Sequence, residues 1–433
     1  MTISSDAPSA EALAKRFRSI RSASIALADP LSPEDCALQS MPDASPTKWH
    51  LAHTTWYFET FVLEAAIPDY APFRPEFRFL FNSYYNSVGE QYSRPHRGLL
   101  SRPGLDEILA YREHVDTQVL ALLEADRVSP AGRAVVDLGN HHEQQHQELI
   151  LTDLKHLLAR NPLDPAYRAS AASEKGSATE EAHRFHRFEG GLVEIGHPGS
   201  GFGFDNEGPR HRVYLQPFEL ARRPVTNREY LAFVEAGGYE DPTHWLSDGW
   251  AAVTERGWQA PLYWRREDTG WTTFTLGGRR TLDLDAPVCH LSFYEADAYA
   301  RAQGSRLPSE AEWETAALRS VEASERLIEG NFVESGALHP RRAPVDATGD
   351  LVQLFGDVWE WTQSAYGPYP GYRPIEGALG EYNGKFMSSQ MVLRGGSCAT
   401  PADHIRASYR NFFYPDARWQ FSGIRLARDP ISP

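Results

Sequence analysis

The chain changes texture near residue 161, and that change limits its possible folds more than any other feature. Before it, apolar residues recur three and four apart over long stretches; beyond it they come in short runs broken by Gly, Pro, Asn and Asp. The first spacing lines one face of a helix, whereas the second suits short strands and loops. The two patterns call for separate cores, and 433 residues is beyond the ~250–300 at which a single core stops growing. The expected architecture is multidomain, with a helical domain over 8–160, a linker over 161–184 and an irregular α+β domain over 185–433.

Residues 8–28 carry Ala, Leu, Lys and Arg at helical spacing, and Ser45-Pro46 opens a second helical segment through Leu51, Trp56, Phe58 and Phe61. Asp106 to Ala125 repeats Leu and Val three and four apart, and Ser129-Pro130 starts a last pattern through Val136, Leu149, Leu154 and Leu157. Four long helices imply a bundle. Phe73 to Pro103, rich in Pro, Gly, Asn and Tyr, is too long for a turn and reads as a functional loop. Residues 161 to about 182 have the polar Pro, Ala, Ser and Glu composition of a surface connector. Beyond it, helical patterns occur only at Asn227 to Glu235, Tyr294 to Ala302 and Ser309 to Ala317.

Composition narrows the partners. A formal charge of −15 with no cluster of Lys and Arg argues against nucleic acid. No apolar run approaches the ~20 residues needed to span a bilayer, and the N-terminus lacks a leader pattern. A cytoplasmic protein with no membrane partner is therefore expected. Cys36, Cys289 and Cys398 are widely separated and odd in number, which predicts reduced, structural thiols.

The segment Asn140-His141-His142-Glu143-Gln144-Gln145-His146-Gln147-Glu148 carries the strongest chemical signal. Residues four apart lie about 40° apart around a helix, so His142 and His146 share a face and can chelate one ion. A further ligand must come from elsewhere, and His53, in Trp49-His50-Leu51-Ala52-His53 on the second helix, is the candidate, with His50 three residues earlier able to face the same side. Taken singly, any of these is more often a packed or surface histidine. The run also fits the His-Glu-x-x-His pattern of zinc peptidases, in which Glu143 would be a general base. Against that reading, no further ligand motif follows at a convincing spacing, and Gln144 and Gln145 stand where a buried peptidase helix carries apolar groups.

With these motifs in view, the sequence resembles the iron(II)-dependent sulfoxide synthases of ergothioneine biosynthesis, in which a DinB-type bundle is joined to a domain like formylglycine-generating enzyme. In the first half the resemblance rests on Leu51-Ala52-His53 and the run from His142 to His146. In the second half it rests on Phe204-Asp205-Asn206-Glu207, Pro224-Val225-Thr226-Asn227, the stretch from Arg306 to Glu314, Gly356-Asp357-Val358-Trp359-Glu360-Trp361 and Arg394-Gly395-Gly396-Ser397. The C-terminal motifs, rich in Gly, Trp and Glu, read as structural and identify the fold rather than the chemistry. A formylglycine-generating enzyme carries paired active cysteines near its end, whereas only Cys398 stands there in this chain, which disfavours copper-based cysteine oxidation. The chain ends at Pro433, soon after Ser422-Gly423-Ile424-Arg425, without the methyltransferase domain of related ovothiol-forming enzymes. The ergothioneine branch is the better fit.

The resemblance implies Fe(II) held by His53, His142 and His146, with O2, hercynine (trimethylhistidine) and a thiol as substrates. Three imidazoles leave open positions on the ion, and a redox-inert zinc could not pass electrons to dioxygen. In Phe81-Asn82-Ser83-Tyr84-Tyr85-Asn86, Tyr85 is expected as proton donor with Tyr84 assisting, while another branch uses a C-terminal tyrosine, for which Tyr366 and Tyr369 are the candidates. Gln145 would bind the imidazole of hercynine, Asn411 its amino-acid end and Phe412 its ammonium group. Members that accept γ-glutamylcysteine carry an acidic residue where Phe413 stands, so cysteine is the expected donor, its carboxylate meeting Arg94 or, less well, Arg97. The remaining alternatives are a zinc peptidase and a non-catalytic binding module.

Overall fold

The computed structural model describes residues 8–169, 184–324, 328–344 and 351–430. The chain forms two compact units. The first comprises 1–162 together with 198–205 and 373–385, and the second comprises 163–197, 206–372 and 386–433. Two short segments of the C-terminal half thus pack with the helical half, which the sequence-based division at 161–184 does not foresee.

The first unit is built on four long helices, α1 (Ala10–Ala28), α2 (Thr47–Phe58), α3 (Leu105–Glu124) and α4 (Pro130–Ala159). Their starts follow local chemistry. Ser9 and Ser129 accept hydrogen bonds from backbone N–H groups three residues on, and Pro130 fills the first turn, where no N–H is needed. All twelve residues of α2 are buried, including Lys48, His50 and His53, so this helix is the centre of the unit. It continues through a π-helical turn, Glu59–Leu63, before ending at Glu64–Ala66. The long loop after it contains short helical turns at Phe77–Leu80 and Arg94–Leu99.

The expected connector is only partly surface chain. Residues 170–183 lie outside the described residues, but the start of the segment is anchored in the second unit. The Asp164 carboxylate accepts from Arg279 Nε at 2.8 Å, and the Tyr167 N–H donates to the Leu276 carbonyl at 2.8 Å.

The second unit is an irregular α+β assembly of small sheets. Strands β1 (Phe185–Phe188), β4 (Phe218–Ala221) and β12 (Ala427–Arg428) form one sheet in the order β1-β4-β12, and β2 (Gly191–Ile195) pairs with β3 (His211–Leu215). A meander of β5 (Trp264–Glu267), β6 (Gly270–Thr275) and β7 (Gly278–Thr281) stands apart. The central sheet has the order β10-β9-β8-β11, from β8 (Trp359–Ala365), β9 (Met391–Arg394), β10 (Asn411–Phe413) and β11 (Ser422–Gly423), with only the β8–β11 pair parallel. Helices α5 (Asn227–Glu235), α6 (Ser247–Arg256), α7 (Phe293–Ala302) and α8 (Glu310–Ser324) accompany the sheets. Capping boxes at Thr226 with Glu229 and at Ser292 with Glu295 fix the starts of α5 and α7. Helix α6 lies outside the helical patterns read from the sequence.

The C-terminal motifs meet in buried ion pairs. Arg394 bonds Glu310 and Glu314 at 3.0 Å each, Arg410 also holds Glu310, and Arg425 holds Glu360, which accepts from Trp313 Nε1 at 2.6 Å. These residues position α8 against β8 and β9, so the motifs are structural, as expected. The three cysteines are buried, and none is joined in a disulfide. Among the described residues, no helix is long and apolar enough to cross a membrane.

Arg394→Met would leave the fully buried Glu314 carboxylate without its cation. A loss of about 3–5 kcal/mol is expected, read as a lowered urea midpoint of tryptophan emission. An unchanged midpoint would contradict this role.

Candidate metal centre

Helices α2 and α4 bring three imidazoles to one point. His53, His142 and His146 are buried, and each offers a ring nitrogen within 4.8 Å of the others. Close helix approach makes this possible at Gly139, one turn before His142. A Cβ there would come within 2.6 Å of ring atoms of Tyr57 and Phe58 on α2. The polar residues between the histidines fix the rotation of α4. Gln144 accepts from Arg16 at 3.1 Å, Gln147 Nε2 donates to the Ile20 carbonyl at 2.9 Å, and Glu143 bonds Arg21 at 2.8 Å and Ser24 at 2.6 Å. All of these partners lie on α1, which explains polar residues on a buried helix and turns the two histidines toward α2.

The nitrogens divide into occupied and open ones. His53 Nδ1 donates to the Phe81 carbonyl at 2.6 Å, while its Nε2 is buried without a partner. His146 Nδ1 lies 2.8 Å from His50 Nδ1, and His50 Nε2 lies 3.1 Å from Asp153 Oδ2, which also accepts from the Ser45 N–H at 2.8 Å. His142 has no partner at either nitrogen. Buried polar atoms almost always find partners, so open nitrogens converging on one point signal a bound group. Burial, reinforced by the neighbouring histidines, pushes His53 and His146 well below their usual pKa, and burial takes His142 down to about 3 and lowers His50. Neutral imidazoles are the ligating form, and the donor set suits a borderline divalent ion.

Glu143 cannot serve as a peptidase base. Burial alone would raise its pKa, but Arg112, Arg21 and Ser24 together hold it at about 2, and its carboxylate is engaged by all three.

Aromatic residues wall the triad. Trp49 stacks on His53 at 4.7 Å and Trp56 at 5.6 Å, and Trp56 meets the Tyr85 ring at 5.5 Å. Tyr84 and Tyr85 stack at 4.7 Å. Tyr382, from the segment 373–385, sets its ring 5.4 Å from His142 and donates its hydroxyl to Gln145 Oε1. Glu381 accepts from the N–H groups of Asn86 and Ser87 at 2.9 and 2.8 Å, tying the tyrosine loop to this segment. A cavity of about 730 Å³ extends from Tyr382 along Phe61, Ala134, Leu138 and Phe204.

Residues 171–430 match the sulfatase-modifying factor enzyme 1-like domain, and residues 16–150 match the DinB superfamily. The chain is 34% identical to the hercynine oxygenase of Mycolicibacterium smegmatis over 90% of its own length and 92% of that relative. It is 33% identical to the hercynine oxygenase of Mycobacterium tuberculosis over 97% of its own length and 99% of that protein. The chain belongs to the hercynine oxygenase family. A formylglycine-generating enzyme from Streptomyces coelicolor is 30% identical over 60% of this chain and 94% of that enzyme. Family membership accords with the resemblance read from the motifs, a DinB-type bundle followed by a formylglycine-generating-enzyme-like domain.

Among the residues expected at the site, His53, His142, His146, Tyr84, Tyr85 and Gln145 lie in the first unit around the triad. Arg94 is exposed and donates to the Asp43 carbonyl. Arg97 is buried, lies 3.4 Å above the Trp49 ring and donates to Ser45 and Ser83 at 2.9 and 3.1 Å. Among the described residues it forms no ion pair. Asn411, Phe412 and Phe413 belong to β10 of the second unit, where Phe412 stacks on Tyr366 at 3.9 Å and Phe413 meets Trp419 edge-on. Tyr366 and Tyr369 are engaged in that unit too, with Asn206 and with Glu310 and Arg394 respectively. The tyrosine of the C-terminal half beside His142 is therefore Tyr382. Sequence reasoning also missed the contact of His50 with His146 and all of Asp153. His50-x-x-His53 and the seven-residue spacing from His146 to Asp153 were available as helical signals, whereas nothing local marks Tyr382.

The Glu143 carboxyl is depressed to about 2 from 4.5, so its stabilising contribution is complete above about pH 4.5 and is lost as pH falls toward 2. Urea unfolding of wild type and Glu143→Gln should therefore show a stability gap that is level above about pH 5 and narrows as pH falls from about 4.5 toward 2. A gap constant with pH would contradict the buried ion pairs.

Proposed function

We propose that this protein joins the sulfur of cysteine to the imidazole of hercynine, using dioxygen and iron(II), and oxidises the new thioether to a sulfoxide in ergothioneine biosynthesis. The observation that carries the reading is the buried triad, with ring nitrogens of His53 and His142 that have no hydrogen-bond partner among the described residues, in a chain similar over most of its length to hercynine oxygenases.

The overall reaction closes without an external reductant. One imidazole C–H and one S–H bond break, and one C–S and one S–O bond form. The four electrons released reduce dioxygen, one oxygen atom entering the sulfoxide and the other leaving as water with the two hydrogens. Iron(II), when bound, supplies open coordination positions and the electrons that start dioxygen reduction.

The chain's own groups hold and order the reactants. The three neutral imidazoles hold the ion. Tyr85, whose phenol burial keeps protonated, is the proton donor at its hydroxyl, with Tyr84 stacked beside it. Gln145 receives the hercynine imidazole, and its amide oxygen accepts from Tyr382. Arg97 is a better carboxylate partner for the thiol substrate than Arg94, because its guanidinium is buried and lacks an anion of its own. Roles for Asn411 and Phe412 at the amino-acid and ammonium ends of hercynine, and for Phe413 in favouring cysteine over γ-glutamylcysteine, rest on the family resemblance alone. The cavity of about 730 Å³ reaches this site only at Tyr382, and none of the three histidines, Tyr85 or Gln145 lines it.

After anaerobic loading with iron(II), dioxygen uptake should require both hercynine and a thiol, with a sulfoxide-linked conjugate formed mainly from cysteine and identified by mass. Uptake with neither thiol would sink the assignment. Tyr85→Phe should lower turnover by about 10²-fold or more with little change in KM. Arg97→Leu should mainly raise the KM for the thiol, and an unchanged KM would return the carboxylate to Arg94.

A further inference from the structure

Behind the triad lies a chain of groups that the proposed reaction does not use. Asp153 lies two helical turns beyond His146 on α4, and His50 lies one turn before His53 on α2. Each helix thus supplies both a ligand and a member of the chain behind it. The contacts run from the Ser45 N–H to Asp153 Oδ2 at 2.8 Å, from Asp153 Oδ2 to His50 Nε2 at 3.1 Å, and from His50 Nδ1 to His146 Nδ1 at 2.8 Å. All four residues are buried.

We propose that Asp153 and His50 are positioning residues that fix the tautomer of His146, so that it offers Nε2 to the metal. The inference rests on reading the triad as a metal site.

Proton accounting leads there. Two ring nitrogens 2.8 Å apart share one hydrogen, so one of the facing Nδ1 atoms carries it and the other accepts. An ionised carboxylate only accepts, which places a hydrogen on His50 Nε2. His146 Nδ1 faces His50, so a metal can meet only its Nε2; with that nitrogen bare, His146 carries its hydrogen on Nδ1 and His50 Nδ1 accepts it. His53 reaches the same tautomer through a backbone carbonyl, that of Phe81 at 2.6 Å. His142 has no such partner at either nitrogen. The three ligands are therefore unequal, and the carboxylate-backed His146 is the one whose orientation and basicity depend on side chains that substitution can reach.

Asp153→Asn removes the carboxylate's charge with almost no change in shape. The Ser45 N–H and His50 Nε2 meet the same carboxylate oxygen, so the amide keeps its neutral oxygen there, a weaker acceptor for His50 Nε2–H. The hydrogen is then held less firmly on His50 Nε2, and the tautomer of His146 is less firmly fixed. His50→Leu removes the acceptor, whereas His50→Gln keeps a side-chain oxygen able to accept from His146.

Cobalt(II) is the probe, titrated anaerobically into wild type and the three variants and followed by visible absorption, with circular dichroism to confirm folding. Asp153→Asn and His50→Leu should bind about 10–100-fold more weakly with an altered spectrum, and His50→Gln should lie within a few-fold of wild type. Unchanged affinity and spectrum in Asp153→Asn and His50→Leu, even with a lowered melting temperature, would make the pair a tie between helices and overturn the proposal alone. A wild-type chain that takes up no cobalt(II) would overturn it together with the metal-site reading.

Discussion

The buried pairing of Glu143 with Arg21 and Arg112 is the constraint on which the site depends. It links α4 to α1 and α3 through charges that have given up water, and such charges are stable only in the arrangement that satisfies them. Glu143 is one residue from His142, so fixing its direction fixes the face of α4 that carries His142 and His146. Close contact at Gly139 then brings that face to His53 on α2. A helix rotated to offer Glu143 to the metal would leave the buried Arg112 guanidinium without its anion and Arg21 with Asp116 alone. The same residue that makes the run look like a peptidase motif is thus what excludes a peptidase.

Much of the first unit was legible in the sequence because its signals are local. Ser129-Pro130 marked the start of α4, and the i, i+4 histidine pair needed only helical geometry to be read as a chelate. His53 needed a contact across the bundle, which the motif resemblance supplied and periodicity did not. Tyr382 illustrates what local reading cannot reach, since it stands 237 positions from Gln145, its partner, in a Gly- and Asn-containing segment with no helical or strand pattern. The transfer of 198–205 and 373–385 to the first unit was hidden for the same reason. Arg94 and Arg97, three residues apart, look alike in sequence and differ only in burial.

In the second unit the motif residues are legible as fold markers because their chemistry is mutual. Glu310, Glu314 and Glu360 come from two motifs and Arg394 from a third, while Arg425 stands near the end of the chain in Ser422-Gly423-Ile424-Arg425. Neither set could be buried without the other, so their joint presence in order along the chain specifies the fold. What β10 contributes to substrate recognition follows from the family resemblance, whereas its packing through Phe412 on Tyr366 follows from the structure.

The central claim is that His53, His142 and His146 together hold one iron. X-ray absorption at the iron edge of the anaerobically loaded protein tests it most directly. The account predicts a light-atom shell with the outer scattering pattern of three imidazole rings, reduced in His142→Ala. A spectrum matching iron(II) in buffer, or a shell without imidazole scattering, would contradict it.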